Sequence, residues 1–356
     1  MILKTKTLTF LFLPFFLTLH AVQEKEIFDT IGLFQEEEEI PAVVAIGIRK
    51  VEGQLRERIY PVGKISLKSN IEVNRETFFQ IGPLTQIVTA TLLACLVQDG
   101  QIELTDPISK FLPQSMKLPS YQGQEITLRD LATHTSGLPD LKGGASRGAP
   151  FSSFFRERLL ANYLLSRPPG SKYESSNFGY ALLSHLLTRI SNHQTPSKLL
   201  IRALGMNETS YTLSKIQKMR RASGYDEKRE IPFEDQRKGG SFFEGASGLY
   251  STPSDLLLLL SFLLGLKKTG LNEALPLLKK SYHQFPAFEV GLCFKMTNPL
   301  GDEKRIYTIS GGGGGYQAYM GLIPSSETGV VILLNREDAD PEKLGLKLLS
   351  IFQEEP

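Results

Sequence analysis

A chain of 356 residues with 41% hydrophobic and 22% charged content has the length and composition of a globular protein with a large core. Forty basic against thirty-eight acidic residues leave a net charge of +2, and no basic run exceeds a few residues, which argues against nucleic acid as a partner and favours a small molecule or a protein. Five scattered histidines with no recurring ligand spacing argue against a metal site, and no cofactor is expected.

The opening "MILKTKTLTFLFLPFFLTLHAVQ" sets Lys4 and Lys6 ahead of an apolar run from Leu8 to Leu19, closed by Leu19-His20-Ala21. This is the layout of a secretory signal, residues 1–21, with cleavage after Ala21 and export to the periplasm or medium. The run is shorter than the roughly 20 residues of a spanning helix and Pro14 interrupts it, so no membrane span is expected once the signal is removed. No cysteine follows closely enough to carry a lipid anchor.

Next, "PAVVAIGIRK" (41–50), "RERIYPVG" and "ETFFQIG" read as two or three strands. From Leu84 the spacing becomes helical: Leu84, Ile87, Val88, Thr91, Leu92, Cys95 and Leu96 recur at three and four residues until Gly100. Helices are expected near 127–133, 151–165, 177–191, 196–204 and 253–266. Strand signals return in "FEVGLCFKM", "KRIYTIS", "YQAYMGLIP" and "GVVILLN", before an amphipathic helix from Pro341 to Phe352. Strands at both ends around a helical middle predict an α/β fold: one antiparallel sheet assembled from both chain ends, about 24–80 and 285–356, with an all-α lobe inserted at about 81–284. A cleft between the two is the natural site. Cys95, in a helical pattern, and Cys293, in a strand pattern, are expected to be buried thiols rather than a disulfide.

Six stretches, in order, resemble the serine β-lactamase and penicillin-binding family, in the branch of class C β-lactamases, D-alanyl-D-alanine carboxypeptidases and esterases. They are "FFQIGPLTQIVTATLLACLVQDGQIELTDPISKFLP", "TLRDLATHTSGLPD", "RPPGSKYESSNFGYALL", "LGMNETSY", "GASGLYSTPSDLLLLLSFL" and "YTISGGGGGYQAYMGLIPSSETGVVILLN", spanning residues 41–336. The resemblance implies a β-lactamase/transpeptidase-like fold and three cleft elements. These are a Ser-x-x-Lys at the start of the central helix, a Tyr-x-Asn or Ser-x-Asn loop, and a Lys-Thr-Gly or His-x-Gly on a facing strand.

The first and third elements are altered, and the second lacks the tyrosine common in this branch. Pro83-Leu84-Thr85-Gln86 stands at the Ser-x-x-Lys position. Proline has neither the nucleophilic hydroxyl nor the backbone N–H that the family's oxyanion hole takes from this residue, and loss of one such donor typically costs ~100- to 1000-fold in rate. Gln86 replaces the lysine by an amide that hydrogen-bonds but does not exchange protons usefully. The helix tolerates both changes, because proline suits its first position. Ser175-Ser176-Asn177 fits the Ser-x-Asn form; Asn177 either binds an amide ligand or caps the following helix. Ile309-Ser310-Gly311 holds the third position without its imidazole or ammonium. Lys268-Thr269-Gly270 is a decoy at a helix end.

No Ser-x-x-Lys occurs elsewhere, and Thr195-Pro196-Ser197-Lys198 and Thr212-Leu213-Ser214-Lys215 lie on segments that the family keeps outside the cleft. Ser136 reads as a turn residue and His134 as structural. Glycines 311–315 either let the backbone approach a ligand, with Gly312 N–H as the remaining oxyanion donor, or form a strand end or bulge.

Three functions fit the sequence. The first is an exported non-catalytic relative that binds a cell-wall peptide, a small amide or ester ligand, or a protein partner through Gln86, Ser175, Asn177, Ser310 and Gly312. The second is a hydrolase with a nucleophile relocated to Ser175 or Ser310. The third is an envelope protein whose cleft is plugged by Leu84, Ile309 or Tyr316.

Overall fold

The computed structural model describes residues 13–51, 53–140, 160–191, 196–233, 240–298 and 304–354. Its centre is an eight-stranded antiparallel sheet. In chain order the strands are β1 (Ala42–Val51), β2 (Gln54–Gly63), β3 (His283–Gln284), β4 (Glu289–Val290), β5 (Lys295–Thr297), β6 (Ile306–Gly313), β7 (Tyr316–Ile323) and β8 (Thr328–Leu334), arranged β2-β1-β8-β7-β6-β5-β4-β3. The two chain ends meet where β1 pairs with β8, Val43 opposite Leu334 and Ile48 opposite Gly329, as the sequence predicts.

The sheet is covered on both faces, which is why β1 reads as a nearly continuous apolar run. Val43, Ala45, Tyr319, Val330 and Ile332 point to one core, shared with helix α1 (Leu13–Glu37) and the C-terminal helix Pro341–Gln353. Val44, Ile46, Ala318, Met320, Val331 and Leu333, one residue out of phase, point to the larger core shared with the helical part. Helix α1 is not anticipated by the sequence analysis, although Ile27, Ile31 and Phe34 carry its spacing of four and three and all three are buried. Each contributes about 1.5–3 kcal/mol. Gln23 Nε2 donates to the Ile351 carbonyl at 3.3 Å and Glu24 pairs with the buried Arg49 at 3.0 Å, which ties α1 to the C-terminal helix and to β1.

Helix α2 (Thr85–Gln98) is apolar almost all round and runs through the larger core, preceded by a 3₁₀ turn, Gly82–Leu84, with Pro83 in its first turn. Thr89 Oγ1 donates to the Gly245 carbonyl at 2.7 Å, which ties α2 to the segment behind it. The other predicted helices are found at Leu128–Ala132 (α3), Asn177–Ile190 (α4), Pro196–Leu204 (α5) and Pro253–Leu263 (α6). The helix expected at 151–165 falls largely outside the described residues; 160–162 are helical.

Two expectations need correction. Cys293 is buried, yet it lies in a tight turn between β4 and β5 at φ 66° rather than in a strand, its N–H donating to the Ala132 carbonyl at 3.1 Å. Cys95 is on α2 but only partly buried; both thiols are free. Among the described residues no helix is long and apolar enough to cross a membrane.

Candidate ligand cleft

Pro83, Gln86, Ser175, Asn177, Ile309, Ser310, Gly311 and Gly312, drawn from three separate stretches of sequence, line one open cavity of about 650 Å³. Packing sets the mouth of α2 against β6. A Cβ on Gly311 would lie 2.8 Å from Pro83 Cγ, and one on Gly82 would lie 3.3 Å from the Gly311 carbonyl oxygen, so the proline ring rests on a strand bare of side chains. Gly311 has φ 144° and Gly313 φ 153°, which only glycine adopts readily. At Gly312 a Cβ would meet the Tyr316 carbonyl at 1.9 Å. These glycines therefore serve a close backbone approach inside a regular ladder, Gly312 opposite Gln317.

The residue one turn beyond Pro83 is held in a chain of hydrogen bonds with a fixed direction. The Ser176 N–H donates to His134 Nδ1 at 3.1 Å, so the imidazole proton must sit on Nε2. Nε2–H then donates to Gln86 Oε1 at 3.0 Å, and Gln86 Nε2 donates to Asn177 Oδ1 at 3.3 Å. Gln86 is 2% exposed and His134 5%. Burial, aided by the charge of Lys295, lowers the His134 pKa from 6.5 to about 3, so the ring is neutral at ordinary pH. Rings of Tyr173 and Tyr180 pack on it at 5.7 and 4.8 Å. With both nitrogens engaged, His134 is a structural residue that orients Gln86.

The loop carrying His134 is built by the helix before it. Thr127 and Asp130 form a reciprocal capping box at the start of α3, and the chain then turns through His134 at φ 56°. Ser136 is buried and accepts from the Leu138 N–H at 3.3 Å, the turn role expected of it.

At the second element Ser176, not Asn177, caps α4. Its Oγ accepts from the Gly179 N–H and donates to the Pro139 carbonyl, both at 2.9 Å. Asn177 is the first helical residue, its N–H donating to Asp140 Oδ1 at 3.0 Å, and this leaves its side chain to the cleft. Ser175 is exposed in the cleft. Ser310 Oγ donates to Glu342 Oε2 at 3.2 Å, a pair that gives this hydroxyl a carboxylate neighbour and no imidazole.

Of the three residues expected to plug the cleft, Leu84 and Tyr316 belong to the core and do not line the cavity, the Tyr316 hydroxyl being turned to the Ala222 carbonyl at 2.6 Å, whereas Ile309 forms part of the wall of a cavity that stays open. Lys268-Thr269-Gly270 is a decoy, since Gly270 lines a separate cavity of about 340 Å³ beside the far end of α2. Ser214 caps the short helix Lys215–Met219; Thr195 lies outside the described residues. No group of metal-ligating side chains is assembled among the described residues.

Several cleft residues escape the sequence analysis, among them Gln80, Asp140, Tyr173, Lys295, Glu337 and Glu342, because none holds a position of the three family elements. The signal for Lys295 is its place in a short strand beside the altered third element, where it pairs with Thr308.

The family model described as Beta-lactamase matches residues 31–350. The chain belongs to the β-lactamase family. Among curated relatives it is 30% identical over 288 residues to the D-alanyl-D-alanine-carboxypeptidase/endopeptidase AmpH of Escherichia coli K12, covering 75% of this chain and 73% of that protein. It is also 25% identical over 353 residues to a β-lactamase of Lysobacter lactamgenus, covering 89% and 88%. A solved β-lactamase/D-alanine carboxypeptidase from Yersinia pestis, complexed with citrate, superposes with TM-score 0.77 at 25% identity over 93% of this chain and 98% of that one. The class C β-lactamase of Rhodobacter sphaeroides gives 0.78 at 22%, covering 91% and 98%, a likeness of fold. Members of the β-lactamase family named here are serine hydrolase relatives, and their fold is the one described above.

Proposed function

We propose that this protein is an exported member of the β-lactamase family that binds a cell-wall peptide or a small amide ligand in the cleft and performs no serine acyl transfer. The observation that carries the proposal is Pro83: at the mouth of α2, against Gly311, it presents a ring where acyl transfer needs a hydroxyl and an amide donor. Gln86, one turn on, sits in a neutral hydrogen-bonded chain with no proton to exchange. The open cleft and its amide-bearing walls support retained binding, and the AmpH relative's name points to D-alanyl peptides. The ties of Gln23 to Ile351 and of Glu24 to Arg49 lie beyond residue 21 and would be kept in a chain cleaved after Ala21.

The relocated-nucleophile alternative rests on the Ser310–Glu342 pair. A carboxylate with no imidazole between is a poor base for a hydroxyl, so the binding proposal is preferred. The test is a titration of the mature protein with an N-acetylated D-alanyl peptide, alongside a chromogenic ester. Binding without turnover is expected, and a ligand at 100 times its dissociation constant should stabilise by about 2.7 kcal/mol. Ester turnover abolished by Ser310→Ala or Ser175→Ala would overturn the proposal.

A further inference from the structure

The helix Lys215–Met219 gives no residue to any core, although most helices owe their order to a buried face. Polar ties order this one instead. Ser214 Oγ accepts from the Gln217 N–H at 3.3 Å, the Ser214 N–H donates to Gln217 Oε1 at 2.9 Å, and Gln217 Nε2 donates to Glu208 Oε2 at 3.2 Å. Gln217 is therefore the side chain that faces the protein. At about 100° per residue, Lys218, Lys215, Met219 and Ile216 share an arc of about 160° on the opposite side. All four are exposed, Ile216 by 73% and Met219 by 72%.

This face combines apolar and basic groups. Among the described residues neither lysine pairs with a carboxylate, and Lys218 Nζ lies over the Phe233 ring at 4.8 Å, which holds an ammonium without neutralising it. Glu208 is engaged on the protein side, receiving Arg220 at 2.8 Å as well as Gln217. The backbone directly after the helix carries a loop of similar character. The Ser223 N–H donates to the Ile65 carbonyl at 2.7 Å and the Leu67 N–H to the Tyr225 hydroxyl at 3.0 Å. On that loop Leu67 and Ile71 are exposed, with Lys68, paired with Glu230 at 3.1 Å, between them.

Single exposed apolar residues are ordinary, but a raised face that sets them beside unpaired lysines complements a surface both anionic and apolar beneath. A second copy of the chain is a poor occupant, because a two-fold contact would bring Lys215 and Lys218 against their own equivalents. None of the four residues lines either cavity, so the face selects for charge and apolarity without a shaped pocket. A bilayer requires those two properties alone.

We infer that helix Lys215–Met219 docks the protein on a bilayer surface rich in anionic phospholipid, with Ile216 and Met219 entering the headgroup layer and Lys215 and Lys218 meeting phosphates. The inference concerns where the protein rests and is independent of what the cleft binds.

The experiment is co-sedimentation of the chain cleaved after Ala21 with vesicles of phosphatidylcholine alone and of phosphatidylcholine and phosphatidylglycerol in about equal parts. Cleavage matters because the apolar run at 8–19 would bind lipid by itself. Binding to the mixed vesicles should exceed binding to phosphatidylcholine at least tenfold and weaken as salt is raised. Lys215→Gln with Lys218→Gln should lower it about 25-fold, about fivefold for each lysine. Ile216→Ser with Met219→Ser should lower it at least tenfold and leave the melting temperature unchanged, since neither side chain is in a core. No binding to the mixed vesicles, or binding that either double variant retains in full, overturns the inference. A dimer in analytical ultracentrifugation that Ile216→Ser with Met219→Ser dissociates would also overturn it and assign the face to a second copy.

Discussion

Replacing Gln86 by lysine, which returns the residue type of an active central helix, is expected to damage the fold rather than repair the site. The Ser176 N–H fixes the imidazole proton of His134 on Nε2, and that N–H needs the acceptor that Gln86 Oε1 supplies. Lysine offers donors only. The substitution leaves a buried imidazole N–H unsatisfied, worth about 1–3 kcal/mol, and desolvates an ammonium whose one compensating contact is Asn177 Oδ1, for a total of about 2–4 kcal/mol. With an unfolding entropy of about 2.1 cal/mol/K per residue, the whole chain of 356 residues loses about 3–5 °C of melting temperature. Scanning calorimetry of Gln86→Lys against Gln98→Lys, an exposed position on the same helix that should move by less than about 1 °C, isolates the effect. Equal melting temperatures for the two variants would refute the assigned proton position and with it the directed chain.

The other predictions concern protonation, packing and the thiols. In the unfolded chain His134 takes up a proton below pH 6.5, whereas in the fold it stays neutral down to about 3, so stability is full above pH 6.5 and falls as the pH drops through that window. The loss is about 2 kcal/mol at pH 5, and His134→Asn, which tolerates the left-handed backbone, should flatten that part of a pH series of urea melts. Gly311→Ala places a methyl 2.8 Å from the Pro83 ring at φ 144° and should cost about 1–3 kcal/mol, part of which Pro83→Ala restores; additive effects in a double-mutant cycle would contradict the contact. Burial pushes the Cys95 thiol up to about 11 and Cys293 well above its usual range. A chromogenic thiol reagent at pH 8 should therefore react slowly with the folded protein and count two thiols in denaturant, and a fast native equivalent would be inconsistent with this packing.

Much of the architecture is written in periodicity. The apolar runs of β1 and β8, the spacing from Leu84 to Leu96 and the helix at Pro196–Leu204 emerge as read, because their side chains face cores on one or both sides. Helix α1 is missed because the apolar run at the chain's start dominates the reading and the exposed Phe28 and Leu33 between its buried Ile27, Ile31 and Phe34 blur the one-sided pattern. Cys293 misleads because the turn between β4 and β5 is flanked by apolar residues, and only its positive φ distinguishes it from strand. At the cleft, the residues facing one another are legible from the family motifs, while the partners that give them meaning are not. Ser176 and Asn177 are both cap formers, and only three-dimensional contacts decide between them. Gln80 and Lys295 are single polar residues on short strands, and only the folded chain brings them to the cleft.

The central claim is that the cleft forms no acyl-enzyme, and intact-mass spectrometry of the mature protein after prolonged incubation with a penicillin tests it most directly. The mass should remain that of the unmodified chain, because Pro83 supplies no hydroxyl and neither Ser175 nor Ser310 has a competent base. A stoichiometric gain equal to the mass of the penicillin, lost on Ser310→Ala or Ser175→Ala, would contradict it.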